Sequence, residues 1–321
     1  MRKNSILLVL STVICTVALP VAVGEKIQPT SHVAATVGQL PNEQPTGQPI
    51  GQTIVQTTVT FSQQPARVGD RVAQTVGVQL QVNTSIVQAG QQAHAGKNMM
   101  QRRQQRFVEV VEVDQGRVRR AHVSFPYSRI TNSENDEPET EATQPVEQKS
   151  YFVTRAGEQL LVTDKDGAIP TQAEFELVVT GLQHLGQPNP LIGHLVGKTF
   201  SIGDKLQLPK EIAEQMMGMG GQLGRVEEFS LALKSIRELD GQPCAVFASS
   251  IKAVGEPTNP IRVHAFGQVI IQAETCRTVS AEISGPLTLS MVENTSQGDF
   301  QYQANGSMRL SAKSKYGYAQ Q

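Results

Sequence analysis

From about residue 53 onward, apolar and polar residues alternate in long runs, and clusters of Gly, Asn, Asp and Pro bound each run. The alternation predicts strands at Thr53–Phe61, Arg71–Val82, Phe107–Val113, Val118–Phe125, Tyr151–Arg155 and Gln159–Thr163. It predicts a second series at Val226–Leu239, Cys244–Ala253, Arg262–Ala273, Thr278–Met291 and Phe300–Ala312. Period two gives each strand one face for a core and one for water, the signature of an antiparallel sheet. Two stretches change to a helical period. Gln172–Leu185 places Phe175, Val178, Val179 and Leu182 on one side and ends at Gly186 and Pro188. Lys210–Met219 follows Pro209 and runs out at Gly218, Gly220 and Gly221. Its Met216, Met217 and Met219 read as core filler.

Hairpin symmetry adds a geometric expectation. Residues equidistant from a turn face each other across an antiparallel pair. A turn near Glu274–Arg277 sets Gly267 across from Gly285, and one at Asn294–Gln297 sets Gly285 across from Gly306. A row of strand glycines, with Pro286 beside it, marks a sharp bend or a close approach of another element. There is also an internal echo. Val68-Gly69-Asp70 opens a segment that reaches a hairpin at Asp114-Gln115-Gly116, and Ile202-Gly203-Asp204 opens one that turns at Asp240-Gly241. The expected fold is α+β and mostly β. It is a strongly curved antiparallel half-barrel of two related halves, about 53–165 and 190–313, with a few short helices on the concave face. Residues 314–321 read as a flexible tail.

The remaining segments carry address rather than chemistry. Arg2 and Lys3, an apolar core from Ile6 to Ala18, Pro20 and then Ala22-Val23-Gly24 fit a signal peptide, 1–24, cut between Gly24 and Glu25. Ser5 to Val23 is long enough for an uncleaved anchor, but Pro20 and the small-residue exit argue against it. Cys15 follows Val13-Ile14, which is not a lipid-attachment context. The expected location is therefore periplasmic or extracellular, and the mature part has no second apolar run of membrane-spanning length. Residues 25–52, rich in Gln, Pro, Thr and Gly, read as a disordered tether, and the acidic segment 132–148 as a disordered surface loop.

Composition narrows function by exclusion. The formal net charge of −1 speaks against a nucleic-acid partner, and the lack of Trp weakens readings that need stacking platforms. Cys244 and Cys276 map to the same end of neighbouring strands, which in an oxidising compartment predicts a disulfide. No cofactor motif and no metal-ligand spacing is present, and the histidines (His32, His94, His122, His184, His194, His264) are scattered. Ser249-Ser250-Ile251-Lys252 matches S-x-x-K, but a strand points its serine and lysine to opposite faces. Asp164-Lys165-Asp166-Gly167 starts like a calcium loop, yet Phe175 stands where the bidentate glutamate belongs, so a turn accounts for it. Arg102, Arg103, Arg106, Arg117, Arg119 and Arg120 form a basic group. Cross-strand pairing about a turn at Gln115-Gly116, with Glu112 opposite Arg119 and Glu109 opposite His122, is the cheaper account, and a lipid headgroup or polyanion the other. Asn83, Asn294 and Asn305 sit in glycosylation sequons.

Leu195-Val196-Gly197-Lys198 running into Ile202-Gly203-Asp204-Lys205, Asp240-Gly241-Gln242-Pro243-Cys244-Ala245-Val246, and Gly267, Arg277-Thr278 and Gly285 carry a resemblance. Over roughly Pro65 to Ala312 the chain resembles uncharacterised bacterial exported proteins with a duplicated curved sheet, like the half-barrel of the outer-membrane lipoprotein carrier (LolA-like). That resemblance brings no catalytic residue. It implies a non-enzymatic binding or scaffold module of the cell envelope, whose partner is an apolar ligand or another envelope protein. The alternatives are a carrier of a lipid-like ligand in the half-barrel cleft and a hydrolase with an unrecognised site. N-terminal sequencing of protein from its native host is expected to find Glu25 first; a mature chain that keeps Met1 contradicts the leader.

Overall fold

The computed structural model describes residues 57–88, 90–135, 137–217, 225–255, 260–295 and 298–317. The signal peptide, the Gly24–Glu25 junction, the tether and Met219 lie outside these residues. The strands are β1 (Thr58–Thr60), β2 (Arg71–Gln88), β3 (Gln91–Asp114), β4 (Arg117–Glu134), β5 (Thr140–Thr143), β6 (Lys149–Ala156) and β7 (Gln159–Asp164). They continue with β8 (Thr199–Ser201), β9 (Lys205–Gln207), β10 (Arg225–Leu239), β11 (Gln242–Val254), β12 (Ile261–Gln272), β13 (Thr278–Thr295) and β14 (Gly298–Gly317). Three helices intervene: α1 (Gln172–Leu182), α2 (Ile192–Leu195) and α3 (Lys210–Met217).

One antiparallel sheet of 12 strands dominates, in the order β7-β6-β4-β3-β2-β14-β13-β12-β11-β10-β9, with β5 paired on β4. It is curled but not closed. The last strand, β14, pairs with β2 from Phe300↔Gln88 to Gly317↔Arg71, so strands far apart in sequence meet mid-sheet. Strands β1 and β8 form a separate small pair.

The hairpins fall where turn chemistry placed them. Gln115 and Gly116, and Asp240 and Gly241, all adopt positive φ, as tight two-residue turns demand. The two Gly–Asp turns are the same structure. Asp70 Oδ2 accepts from the Arg67 amide (3.1 Å) and Asp204 Oδ2 from the Ser201 amide (2.7 Å). Gly69 and Gly203 donate to Val110 and Leu233 carbonyls, and those residues donate back to Asp70 and Asp204. The copies differ in what the aspartate meets: Asp70 is buried against Arg277 (3.4 Å), which lies over the Tyr316 ring.

Three expectations about the course of the chain differ from the structure. Segment 132–148 is ordered where described: β5 pairs β4, Val146 is fully buried, and Glu147 accepts from the Ser128 amide (2.8 Å) and pairs with Arg129 (3.2 Å). Its acidic residues neutralise a specific arginine, which composition cannot reveal. Residues 314–317 continue β14, where Ser314 is buried and bonded to Gln74 (3.1 Å), so this part of the expected tail is strand. The glycine row is real but diagonal. Gly267 lies opposite Ile283, Gly285 opposite Met308, and Gly306 opposite Leu287 and Val82. The β12–β13 turn is centred one residue earlier than the symmetry argument assumed, around Thr275 with Cys276 at φ 53°, and a register shift sits at Ile270/Ile271. Such a shift moves each partner by two residues and keeps the face.

That face is the core face. A Cβ on Gly267 would lie 1.9 Å from the Glu282 carbonyl oxygen, on Gly285 2.1 Å from that of His264, and on Gly306 2.1 Å from that of Gln81. Neighbouring backbone occupies the space of a side chain, so the sheet folds over along this diagonal. Gly285→Val is expected to cost about 3 kcal/mol despite valine's strand preference. Thr288→Val, exposed on the other face of β13, is expected to change stability by under about 0.5 kcal/mol. Chemical denaturation of both decides; a neutral Gly285→Val contradicts the bend.

Candidate functional site

The core face carries two apolar clusters. The larger includes Val78, Leu80, Val82 and Met100 with the inward residues of β10–β14, under Phe61, Leu191, Leu195 and Phe200. Phe61 stacks on Phe247 (6.2 Å) and meets Phe200 edge-on (5.8 Å), which seats the small β1–β8 pair on the sheet. The smaller gathers Val72, Val108, Val110, Val118, Val123, Phe125, Tyr151 and Val153 under Val178, Leu182 and Leu185, the buried side of α1 and its exit.

Between the clusters runs a buried polar seam. Gln74 donates to Ser314 (3.1 Å) and accepts from Arg106 Nε (2.6 Å). Gln104 donates to Ser128 (3.0 Å), whose hydroxyl donates to Gln144 Oε1 (2.8 Å), as does Arg102 Nε (3.1 Å). Burial, and then the charge of Arg102, lower the Arg106 pKa to about 10, so it stays charged at neutral pH.

Arg106 uses its charge on the helix. Its Nη1 donates to the Gly181 carbonyl, while Arg155 donates from Nε to Leu185 O (2.8 Å) and from Nη2 to Gln183 O. The last turn of a helix leaves carbonyls without intrahelical partners and carries partial negative charge, so two guanidinium groups there satisfy both needs. The other end of α1 is held by a capping box. Thr171 accepts from the Glu174 amide, Glu174 accepts from the Thr171 amide (2.9 Å) and hydroxyl (2.8 Å), and Lys149 on β6 pairs with Glu174. Helix α1 is thus a cover docked on an apolar face, fixed at both ends by charged contacts to the sheet.

The sequence-derived candidates distribute as follows. Cys244 and Cys276 are both buried and free, so the expected disulfide is absent. Cys276 Sγ donates to the Ser62 carbonyl (3.3 Å), and burial pushes its thiol up to about 12 and raises that of Cys244. The thiol of Cys276 is aimed at the β1 connection rather than at its neighbour. Gly267, Gly285 and Gly306 form the bend and take no part in the cover. Ser249 and Lys252 point to opposite faces of β11, and Lys252 pairs with Glu228 (2.6 Å). Asp164 closes a turn by accepting from the amides of Asp166 and Ala168. Glu109 stands opposite His122, as the hairpin predicts, whereas register shifts around Glu112 set it opposite Arg120, and it pairs diagonally with Arg119 (3.2 Å). Arg102 and Arg106, grouped with surface arginines by sequence, face inward. Their alternation with Arg103 in a strand was the available signal. Among the described residues no group of three His, Cys, Asp or Glu could hold a metal ion.

No family model matches the chain, and no curated protein matches it. Among solved structures, lipovitellin is similar at 9% identity and TM-score 0.36, covering 78% of this chain and 26% of its own. The chain therefore spans about a quarter of lipovitellin's length. A LolA-superfamily protein of Nitrosomonas europaea aligns at 9% identity and TM-score 0.15, covering 76% of this chain and 87% of its own. The Pseudomonas putida toluene transporter TodX aligns at 7% identity and TM-score 0.21, with 79% and 92% covered. None is close enough to carry an argument, and the fold rests on its own strand order and register.

The cover has a pH signature. Pairing with Lys149, and then the Thr171 hydrogen bonds, hold the Glu174 carboxyl at about 2, below its ordinary value of about 4.3. A depressed carboxyl contributes stability that is complete above the ordinary value and is lost as pH falls through the lowered one. Glu174→Gln is therefore expected to be less stable than the parent at pH 7, with the gap closing toward pH 2. Urea unfolding at pH 7, 4 and 2.5 measures it; a gap independent of pH removes Glu174 from the cover.

Proposed function

We propose that the protein is a non-enzymatic, exported binding module of the cell envelope that accepts an apolar chain on the core face beneath α1. One observation carries this reading. The cover is docked on a broad apolar surface, yet its two ends are fixed by charged contacts to Arg106, Arg155 and Lys149. Lifting it exchanges these contacts for water, which solvates guanidinium and carbonyl groups well. The valine and leucine surface it leaves then calls for another apolar occupant. The sheet ends at β7 and β9 and α1 takes part in no strand pairing, so moving the cover breaks no strand pair. A permanent scaffold, the second reading, keeps α1 in place under all conditions.

The test uses the mature chain and cis-parinaric acid as an acyl probe. Saturable binding is expected, with faster amide exchange over 172–185 in the bound form. Arg155→Ala, which frees carbonyls near the protein surface, is expected to take up the probe several-fold faster. Failure to bind, with α1 exchange unchanged, contradicts the proposal.

A further inference from the structure

The face opposite the core holds a cleft of about 670 Å3 to which residues of six neighbouring strands contribute, from Gln268 on β12 to Tyr127 on β4. Only a face dished across its strands can bring these positions around one space. A second cleft of about 410 Å3 shares Gln79 and Arg309 with the first, so the two make one elongated trough. Its floor is small. Gly77 lies between Ser311 and Arg103 in register, and a Cβ on Gly77 would meet Ser311 Oγ at 2.6 Å. Its walls are amides and cations: Gln79, Gln101 and Gln105 beside Arg103 and Lys313.

The charges there are unbalanced. Glu282 is the one carboxylate lining the 670 Å3 cleft, and it is already paired with Arg309. Arg129, next to Arg103, is spent on Glu141 and Glu147. Lys313 faces Thr75 and Ser280 across its two neighbouring strands. Among the described residues, Arg103 and Lys313 meet no acidic partner.

We propose that this trough binds an acidic polysaccharide strand. Glutamine side chains each offer a donor and an acceptor, which is what sugar hydroxyls need, and Tyr127 adds a ring edge and a hydroxyl. Arg103 and Lys313 then meet carboxylate groups along the chain, as charge-assisted hydrogen bonds. A cleft shared by six strands suits a chain rather than an isolated ion, and the two cations without acidic partners select an acidic chain over a neutral one. The site lies on the face opposite α1 and stands independently of the binding proposed beneath the cover.

The test is calorimetry of the mature protein with an oligogalacturonate of about eight residues, against neutral dextran of similar length and phosphatidylglycerol vesicles. Oligogalacturonate is expected to bind in a salt-sensitive manner, and dextran not to. Arg103→Ala and Lys313→Ala, both on exposed side chains, are expected to keep the parent unfolding midpoint while each weakens binding about tenfold. Equal binding of dextran, binding unchanged in both variants, or absence of oligogalacturonate binding overturns the proposal. Vesicle binding that the same substitutions abolish overturns it in favour of a membrane surface.

Discussion

The close approach of backbone at Gly267, Gly285 and Gly306 is the constraint on which the remaining architecture depends. A side chain at any of these positions would overlap a carbonyl of the adjacent strand by more than an ångström. Because the three lie on a diagonal across β12, β13 and β14, the sheet folds over obliquely to its strands, as a curling sheet requires. Curling turns one face inward over its full length. That face is where the apolar side chains of β2, β3, β4 and β10–β14 point, and it is what the helices and the β1–β8 pair cover. A twisted sheet curves oppositely along its two diagonals, so the polar face also acquires a hollow. Both candidate sites are consequences of one bend.

The interior is organised by where polarity is admitted. Gln74, Gln104, Arg102, Arg106, Ser128 and Ser314 are buried, and the bonds among them divide two hydrophobic clusters. Burying a guanidinium is costly unless it is satisfied, and Arg106 is satisfied jointly by Gln74 and by the end of α1. Loss of the helix would leave that cation needing water. The seam therefore couples the position of the cover to the hydration of the core, a coupling that a wholly apolar core would lack.

Much of the architecture could be read in the sequence because period-two patterning survives wherever one face is wet. The bounds of β10, β11 and β12 are legible to within two residues and β13 from its first residue, short by four at its end, and the turns at Gln115-Gly116 and Asp240-Gly241 follow from residues that tolerate positive φ. The first two-thirds of β3 was not legible. Its first five residues are all exposed, and its inward positions up to Arg106 include Asn98, Arg102, Gln104 and Arg106, so polarity does not alternate although burial does over its second half. The same reason hid the seam: a strand whose buried positions are polar looks like a solvated loop. The acidic segment was misread because composition reports charge but not its partner, here Arg129. The glycine diagonal was legible in kind but not in register, since one residue in a turn moves every partner by two.

The central claim is that α1 is a separable element seated on a sheet that stays folded without it. Native-state hydrogen exchange as a function of urea tests it most directly. The account predicts that amides of Phe175–Leu182 exchange through an opening of distinctly lower free energy than those of β2 and β14, with little denaturant dependence. If α1 and the central strands exchange together through a single global unfolding, the helix is part of the core and the account of a releasable cover is wrong.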